Sequence, residues 1–397
     1  MTSKKSFKIP MSSPDITEAE RQAVMEVLHT RYLSMGPQYL AFEQAVKEYT
    51  GAEHAIAVNS GTSGLHLCVR AAGISDGDLV ITTPFSFISS SNIILFERAV
   101  PVFVDVDPAT GNIDPGLVAQ AATDLTSGGK PVQKWLPRHG AHPDAQLKAL
   151  LPVDVFGQPA DMDPIKEIAT RYGLVTIEDA CEAIGAQYHG KPAGLLVDMG
   201  VFAFYPNKQM TTAEGGVIVT NDGERAEYMR ALRNQGRAPD DTWLQHSYLG
   251  YNYRMHELSA ALGVVQMERL DGLLAKRQQV ADWYQQYLTD LPQIEPPQVM
   301  PSTSRMSWFV YVVRLEAGIN RDDVIKQLAL EGIPSRPYFS PIHLQPFMRE
   351  RFGYKEGDYP VTEDLGRRGI ALPFSSVMEE AQVALVCNTL AKVLKNH

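Results

Sequence analysis

Cysteine is scarce. The 397 residues hold three, Cys68, Cys181 and Cys387, too few and too far apart for a disulfide framework. Reduced thiols in a cytoplasmic protein are expected. No CxxC and no HExxH occurs, so no metal site is indicated. GxxxxGK[ST] and GxGxxG are missing too, which removes the usual triphosphate and dinucleotide turns. Positive charge is in deficit: 36 Lys and Arg stand against 46 Asp and Glu, a formal net charge of -10. That balance argues against nucleic acid as a partner. An anionic small substrate remains compatible, because it needs only a local cationic patch. No apolar run is long enough to span a bilayer. The opening MTSKKSFKIPMSSPDI has basic residues with no apolar segment behind them, unlike a signal peptide.

What is present is a soluble, core-forming composition, 44% hydrophobic and 21% charged, long enough for two domains. Thr17 and Glu20 have the capping-box spacing before a helix carrying Val24, Val27 and Leu28, and Tyr39 to Tyr49 is a second amphipathic helix. Seven apolar runs of strand length follow, beginning at Ala55, Leu79, Pro101, Ala149, Leu174, Val201 and Val217. Several are continuous rather than alternating, as in strands buried on both faces, and helical stretches separate most of them. The pattern predicts an α/β, mostly parallel seven-stranded sheet flanked by helices. A helical pattern from about Glu257 to Leu291, kinked at Asp271-Gly272, bridges into a smaller C-terminal α+β domain. The division expected is 1–254 and 255–397. Residues 122–148, rich in Gly, Pro and basic side chains, read as an insertion: a surface excursion, or a segment reaching over a pocket.

Four stretches carry candidate chemistry. Lys208 lies in a polar loop between two strand runs, in VFAFYPNKQMTTAEGG. A partly desolvated amine there would act as a nucleophile towards carbonyls, whereas an exposed loop lysine would do nothing. Ser60-Gly61-Thr62-Ser63-Gly64 follows the first strand and opens a helix, which suits either an anion site or a plain N-cap. Asp179 ends the fifth strand, at the ligand edge of an open sheet or as a helix cap. It precedes Lys208 by 29 residues (208 − 179), one strand further along. Phe85-Ser86-Phe87 follows the second strand.

Taken together, these stretches resemble the DegT/DnrJ/EryC1/StrS family of sugar aminotransferases, which depend on pyridoxal 5′-phosphate (PLP) and have the fold-type I, aspartate-aminotransferase-like fold. The resemblance covers nearly the whole chain. It implies that Lys208 forms the internal aldimine with PLP and that Asp179 pairs with the protonated pyridine nitrogen. It further implies that Gly61, Thr62 and Ser63 hold the phosphate and that Phe87 stacks on the ring. Asn252, in GYNYRM, is implied to reach the phosphate of a partner subunit, which makes the working unit a homodimer. Arg254, Tyr338 and His343 match substrate-side positions. The implied reaction takes an amino group from glutamate to a keto sugar carried on a nucleotide. A sugar dehydratase of the same fold usually has histidine in place of the lysine, and a non-catalytic regulatory relative would be free to lose these residues.

The chain departs from the family pattern at several positions. Glu182 replaces a glutamine that contacts the cofactor's phenolic oxygen, so its carboxyl is expected to be protonated or turned away. Ala203 replaces a phosphate-binding serine. Gly64 and Asp154 stand where many relatives have alanine and histidine.

Overall fold

The structure, a computed structural model, describes residues 7–142 and 144–395. Its larger unit is built on the seven expected runs: β1 (His54–Val58), β2 (Leu79–Thr82), β3 (Val100–Phe103), β4 (Leu147–Leu151) and β5 (Val175–Asp179), then, after the short hairpin β6 (Gln187–Tyr188) and β7 (Lys191–Pro192), β8 (Met199–Ala203) and β9 (Gly216–Thr220). They form one sheet in the order β1-β9-β8-β5-β4-β2-β3. Strands β3, β2, β4, β5 and β8 run parallel, while β9 is antiparallel to both of its neighbours, β8 and β1. Nearly every residue of these strands is buried, which is why their apolar runs do not alternate. The first crossing helices are fixed by local chemistry. Ser60 Oγ accepts the Ser63 N–H to start helix Gly61–Ala71, and Asp114 Oδ1 accepts the Gly116 and Leu117 N–H groups to start helix Pro115–Ser127.

The smaller unit is a second sheet of β10 (Ile294–Glu295), β12 (Tyr311–Leu315), β13 (Arg336–Pro337) and β14 (Gly369–Leu372), in the order β10-β12-β14-β13. Its core includes Tyr284, Tyr311, Val324, Leu328 and Leu390, from three helices and the sheet. A third small sheet, in which β11 (Thr303–Arg305) pairs with β6, stitches the smaller unit's lead-in to the larger one.

Glu20 accepts the Thr17 N–H at 2.7 Å, as its spacing predicts. The long helical pattern after Glu257 is two helices, Glu257–Glu268 and Leu270–Leu288. The break falls at Arg269, two residues before the expected kink. There Arg269 caps one helix and leads into the next (φ −99°, ψ 0°), and its guanidinium pairs with Asp15 and Glu20. Helix Glu257–Glu268, which the sequence groups with the smaller domain, packs on the N-terminal helices Glu18–Leu28 and Pro37–Thr50.

The stretch 122–148 is held down rather than loose. Its first residues finish helix Pro115–Ser127, and Val132 and Trp135 are buried in the main core. Trp135 Nε1 donates to Asp124 at 2.7 Å, and Arg138 makes a two-pronged ion pair with Asp358. The segment does not reach the large cavity described below. Trp135→Ala should therefore lower the free energy of unfolding by roughly 3 kcal/mol, read by denaturant titration. An unchanged midpoint would show the excursion to be detached from the core.

Candidate active site

A cavity of about 430 Å³ opens on the side of the sheet where β1, β5 and β8 end. That volume is within the range of roughly 300–1,000 Å³ usual for small-molecule sites. Its wall includes Gly61, Thr62, Phe87, Asp179, Glu182, Lys208 and Tyr338, so seven positions singled out from the sequence meet in one place.

The floor is set by a close approach at Gly61. A Cβ added to Gly61 would lie 2.7 Å from Ala203 Cβ and 2.9 Å from Cys181 Sγ, so only glycine fits there. The start of helix Gly61–Ala71 is thereby pressed against the end of β8, with its free amides at the cavity. Thr62 is on the wall; Ser63 is turned inward, its hydroxyl donating to Asn59 Oδ1 at 2.6 Å. Asp179 is buried, with Oδ2 accepting from Ser90 Oγ at 2.6 Å and Oδ1 from the Cys181 N–H at 3.2 Å. Those bonds fix a carboxylate whose remaining lone pairs face the cavity. Phe87 is largely exposed on the wall, whereas its neighbour Phe85 is core, edge-on to Phe156 and Phe339.

The Lys208 side chain is 14% exposed, with Nζ 3.8 Å from the centre of the Phe309 ring and 3.4 Å from Glu182 Oε1. Glu182 is not turned away. Its other oxygen accepts the Phe156 N–H at 3.0 Å. Phe156 has φ +61°, and the next residue, Gly157, has φ +95° and would place a Cβ 1.6 Å from Ser307 O. Burial pushes the Glu182 carboxyl above its ordinary range, while the Lys208 ammonium and the Phe156 N–H pull it back.

Three expected positions lie elsewhere. Asn252 is exposed, on a backbone bridge to Asn234, and Arg254 donates to Asn234 Oδ1 at 2.9 Å. Neither lines this chain's cavity. His343 is fully buried with Nε2 3.0 Å from Glu363, beside Tyr354 and Tyr359, and does not reach the cavity. Its segment supplies Tyr338 instead. Sequence reasoning missed Ser90, Phe156 and Phe309. Phe309 lies two residues before β12 begins. Only the long-range fold brings these three to the site, and no local pattern marks them.

A mostly parallel sheet with one reversed strand beside the lysine loop is the architecture of aspartate-aminotransferase-like transferases. The sequence profile of the DegT/DnrJ/EryC1/StrS aminotransferase family matches residues 14–391, and the chain belongs to that family. The protein named GDP-perosamine synthase in Caulobacter vibrioides is 39% identical over 390 residues, covering 98% of each chain. Among solved structures, S. venezuelae DesV, determined with a ketimine intermediate, has a TM-score of 0.83 and 32% identity over 94% of this chain and 93% of its own. Spr1654 of Streptococcus pneumoniae in its PLP form has a TM-score of 0.86 and 25% identity over 98% and 99%. The chain is thus an enzyme of the PLP-dependent sugar aminotransferase class.

The Glu182 carboxyl gives a pH test. Its ordinary value is 4.5 and its folded value is higher, so the folded state holds the proton more tightly. The stability this contributes is complete below pH 4.5 and is lost as pH rises through the folded value. The cofactor-free parent should therefore lose unfolding free energy relative to Glu182→Gln as pH climbs from 4.5, then run level. Denaturant titrations across pH 4.5–8 read this difference. A difference that favours the parent more as pH rises would mean that the Lys208 pair outweighs burial.

Proposed function

We propose that this enzyme transfers an amino group from glutamate to a keto sugar carried on a nucleotide, with PLP held by Lys208. The observation that supports it most is the convergence, on one cavity wall, of a partly buried amine, a buried carboxylate and a glycine-bound helix N-terminus. The residues fit the cofactor. Asn207 Oδ1 is buried beside Lys208 without a hydrogen-bond partner, and Gly61 and Thr62 line the cavity at a helix N-terminus, a setting that suits an anion. When bound, PLP supplies an electron sink for charge developing on the carbon next to the migrating nitrogen.

The chain's own residues then have distinct tasks. Asp179, fixed by Ser90, would keep a ring nitrogen protonated. Gly61, Thr62 and the helix N-terminus would take the phosphate, whereas the Ser63 N–H and hydroxyl are already engaged by Ser60 and Asn59. Phe87 would cover a ring face. Lys208 Nζ would hold and move the proton at the reacting carbon. Glu182, beside it, would offer a proton or an acceptor according to its charge. Tyr338 would meet the substrate.

The same reading includes a homodimer. Asn252 and Arg254, outside their own chain's cavity, would serve the partner's. Tyr32, Leu33 and Met35, exposed next to the His256 turn, are apolar surface that pairing would cover. Two-fold pairing is the commonest form of homo-oligomer.

Purified protein given glutamate and a panel of keto nucleotide-sugars should release 2-oxoglutarate with at least one of them. Lys208→Ala should fold normally and release none, because a polar loop residue is not core. Release by Lys208→Ala at the parent rate would remove the lysine from the mechanism.

Mixing Lys208→Ala with Asn252→Ala tests the shared site. With subunit exchange and limiting PLP, one site of each mixed dimer regains both residues, so about a quarter of parental sites should return. Activity equal to the mean of the two parents, despite proven exchange, would confine Asn252 to its own chain.

A further inference from the structure

Arg277, on helix Leu270–Leu288, is among the largest fully buried side chains, 1% exposed. A guanidinium that deep normally faces a carboxylate. None of the salt bridges among the described residues includes it; its hydrogen bonds go to four backbone carbonyls. Nη1 donates to Trp308 O at 3.2 Å and Phe309 O at 3.1 Å. Nη2 donates to Asn207 O at 3.3 Å and to Lys208 O. One face lies over the Phe374 ring at 5.6 Å, and Nε has no partner. The uncompensated charge is costly, and burial pushes the group down to about 9.

The two carbonyl pairs belong to the two chain segments on either side of the Lys208 amine. One carries Lys208 itself. The other carries Phe309, whose ring Nζ stands over at 3.8 Å. A planar fork spans two such pairs at once, which a single ammonium cannot do. Gln209 reinforces the tie, donating to Ser307 O at 3.0 Å and to Glu182 O.

We propose that Arg277 is a positioning residue for Lys208: by bridging the lysine-bearing turn to the Trp308–Phe309 segment across the two units, it sets where the Lys208 amine stands in the cavity. This deepens the aminotransferase reading and rests on it.

The test uses Arg277→Met and Arg277→Lys in the full chain. In cofactor-free protein, hydrogen exchange at 207–212 should quicken in both variants beyond what their global stability, measured by denaturant, accounts for. Unchanged exchange there overturns the bridge whether or not the enzyme transaminates. In the holoenzyme, turnover should fall roughly tenfold to a hundredfold, the scale of a misplaced catalytic group, with KM for glutamate little moved. Arg277→Lys, which keeps the charge but not the fork, should not restore it; full activity in Arg277→Lys overturns the proposal. The decisive arm repeats Arg277→Met in a Lys208→Ala background supplied with methylamine as a free base. If Arg277 acts through the lysine, the second substitution costs nothing further there. An equal loss in both backgrounds would make Arg277 a general support of the core. Should Arg277→Met not fold, Arg277→Gln takes its place under the same criteria.

Discussion

The site depends on one steric constraint: three chain segments meet at two glycines where a side chain would not fit. Gly61 abuts Ala203 and Cys181, and a Cβ on Gly216 would lie 2.8 Å from Gly61 N. That contact brings together the N-terminus of the first crossing helix, the end of β8 and the start of β9. The reversed strand makes it possible. Because β9 runs against β8, the loop between them turns back at the same edge of the sheet at which β1 delivers its helix. The amine on that loop and the amides of that helix therefore share a cavity as a consequence of strand order and glycine placement, with no need for a long flexible arm.

A second layer is electrostatic. Four carboxyl groups cluster around the end of β5, each buried, and their neighbours give them different characters. Asp179 accepts a hydroxyl and a backbone N–H. Glu182 faces an amine. Asp154 and Glu178 face each other, and burial pushes both above the ordinary carboxylate range, Glu178 to about 6. Two backbone N–H groups, from Gly194 and Leu196, hold Glu178. Asp154 has one oxygen on the Ala160 N–H and another with no partner other than its fellow carboxyl, which favours a proton held between them. Asp154 thereby sits behind Asp179 without adding a second full charge.

Much of this was legible in the chain. All seven main strands were readable as apolar runs, because burial on both faces leaves a continuous signal. Residues tied to loops at strand ends, Lys208, Asp179, Glu182, Thr62 and Phe87, were readable because short motifs surround them, and they do line one cavity. What could not be read was whatever depends on contacts between distant segments. Phe309 reaches Lys208 only because the smaller unit folds back. Ser90 is one of three consecutive serines, and only the packed structure tells which one meets Asp179. His343 shows the reverse: a motif neighbour of Tyr338 that the backbone turns into the core against Glu363. The helix break at Arg269 coincides with ion pairs to two acidic groups more than two hundred positions away in the chain, contacts that no local pattern shows.

The cavity wall is drawn from Ser60 at one end of the chain and from Phe309 and Tyr338 near the other. The last strand of the seven-stranded sheet ends at Thr220, yet this wall cannot close until Phe309 and Tyr338 have been made and docked. Such late, long-range closure is slow relative to local helix formation. During synthesis the lysine-bearing loop must therefore spend a period against solvent, with its clamp on helix Leu270–Leu288 still to come. The Phe309 and Tyr338 part of the wall is therefore added at the last stage of folding.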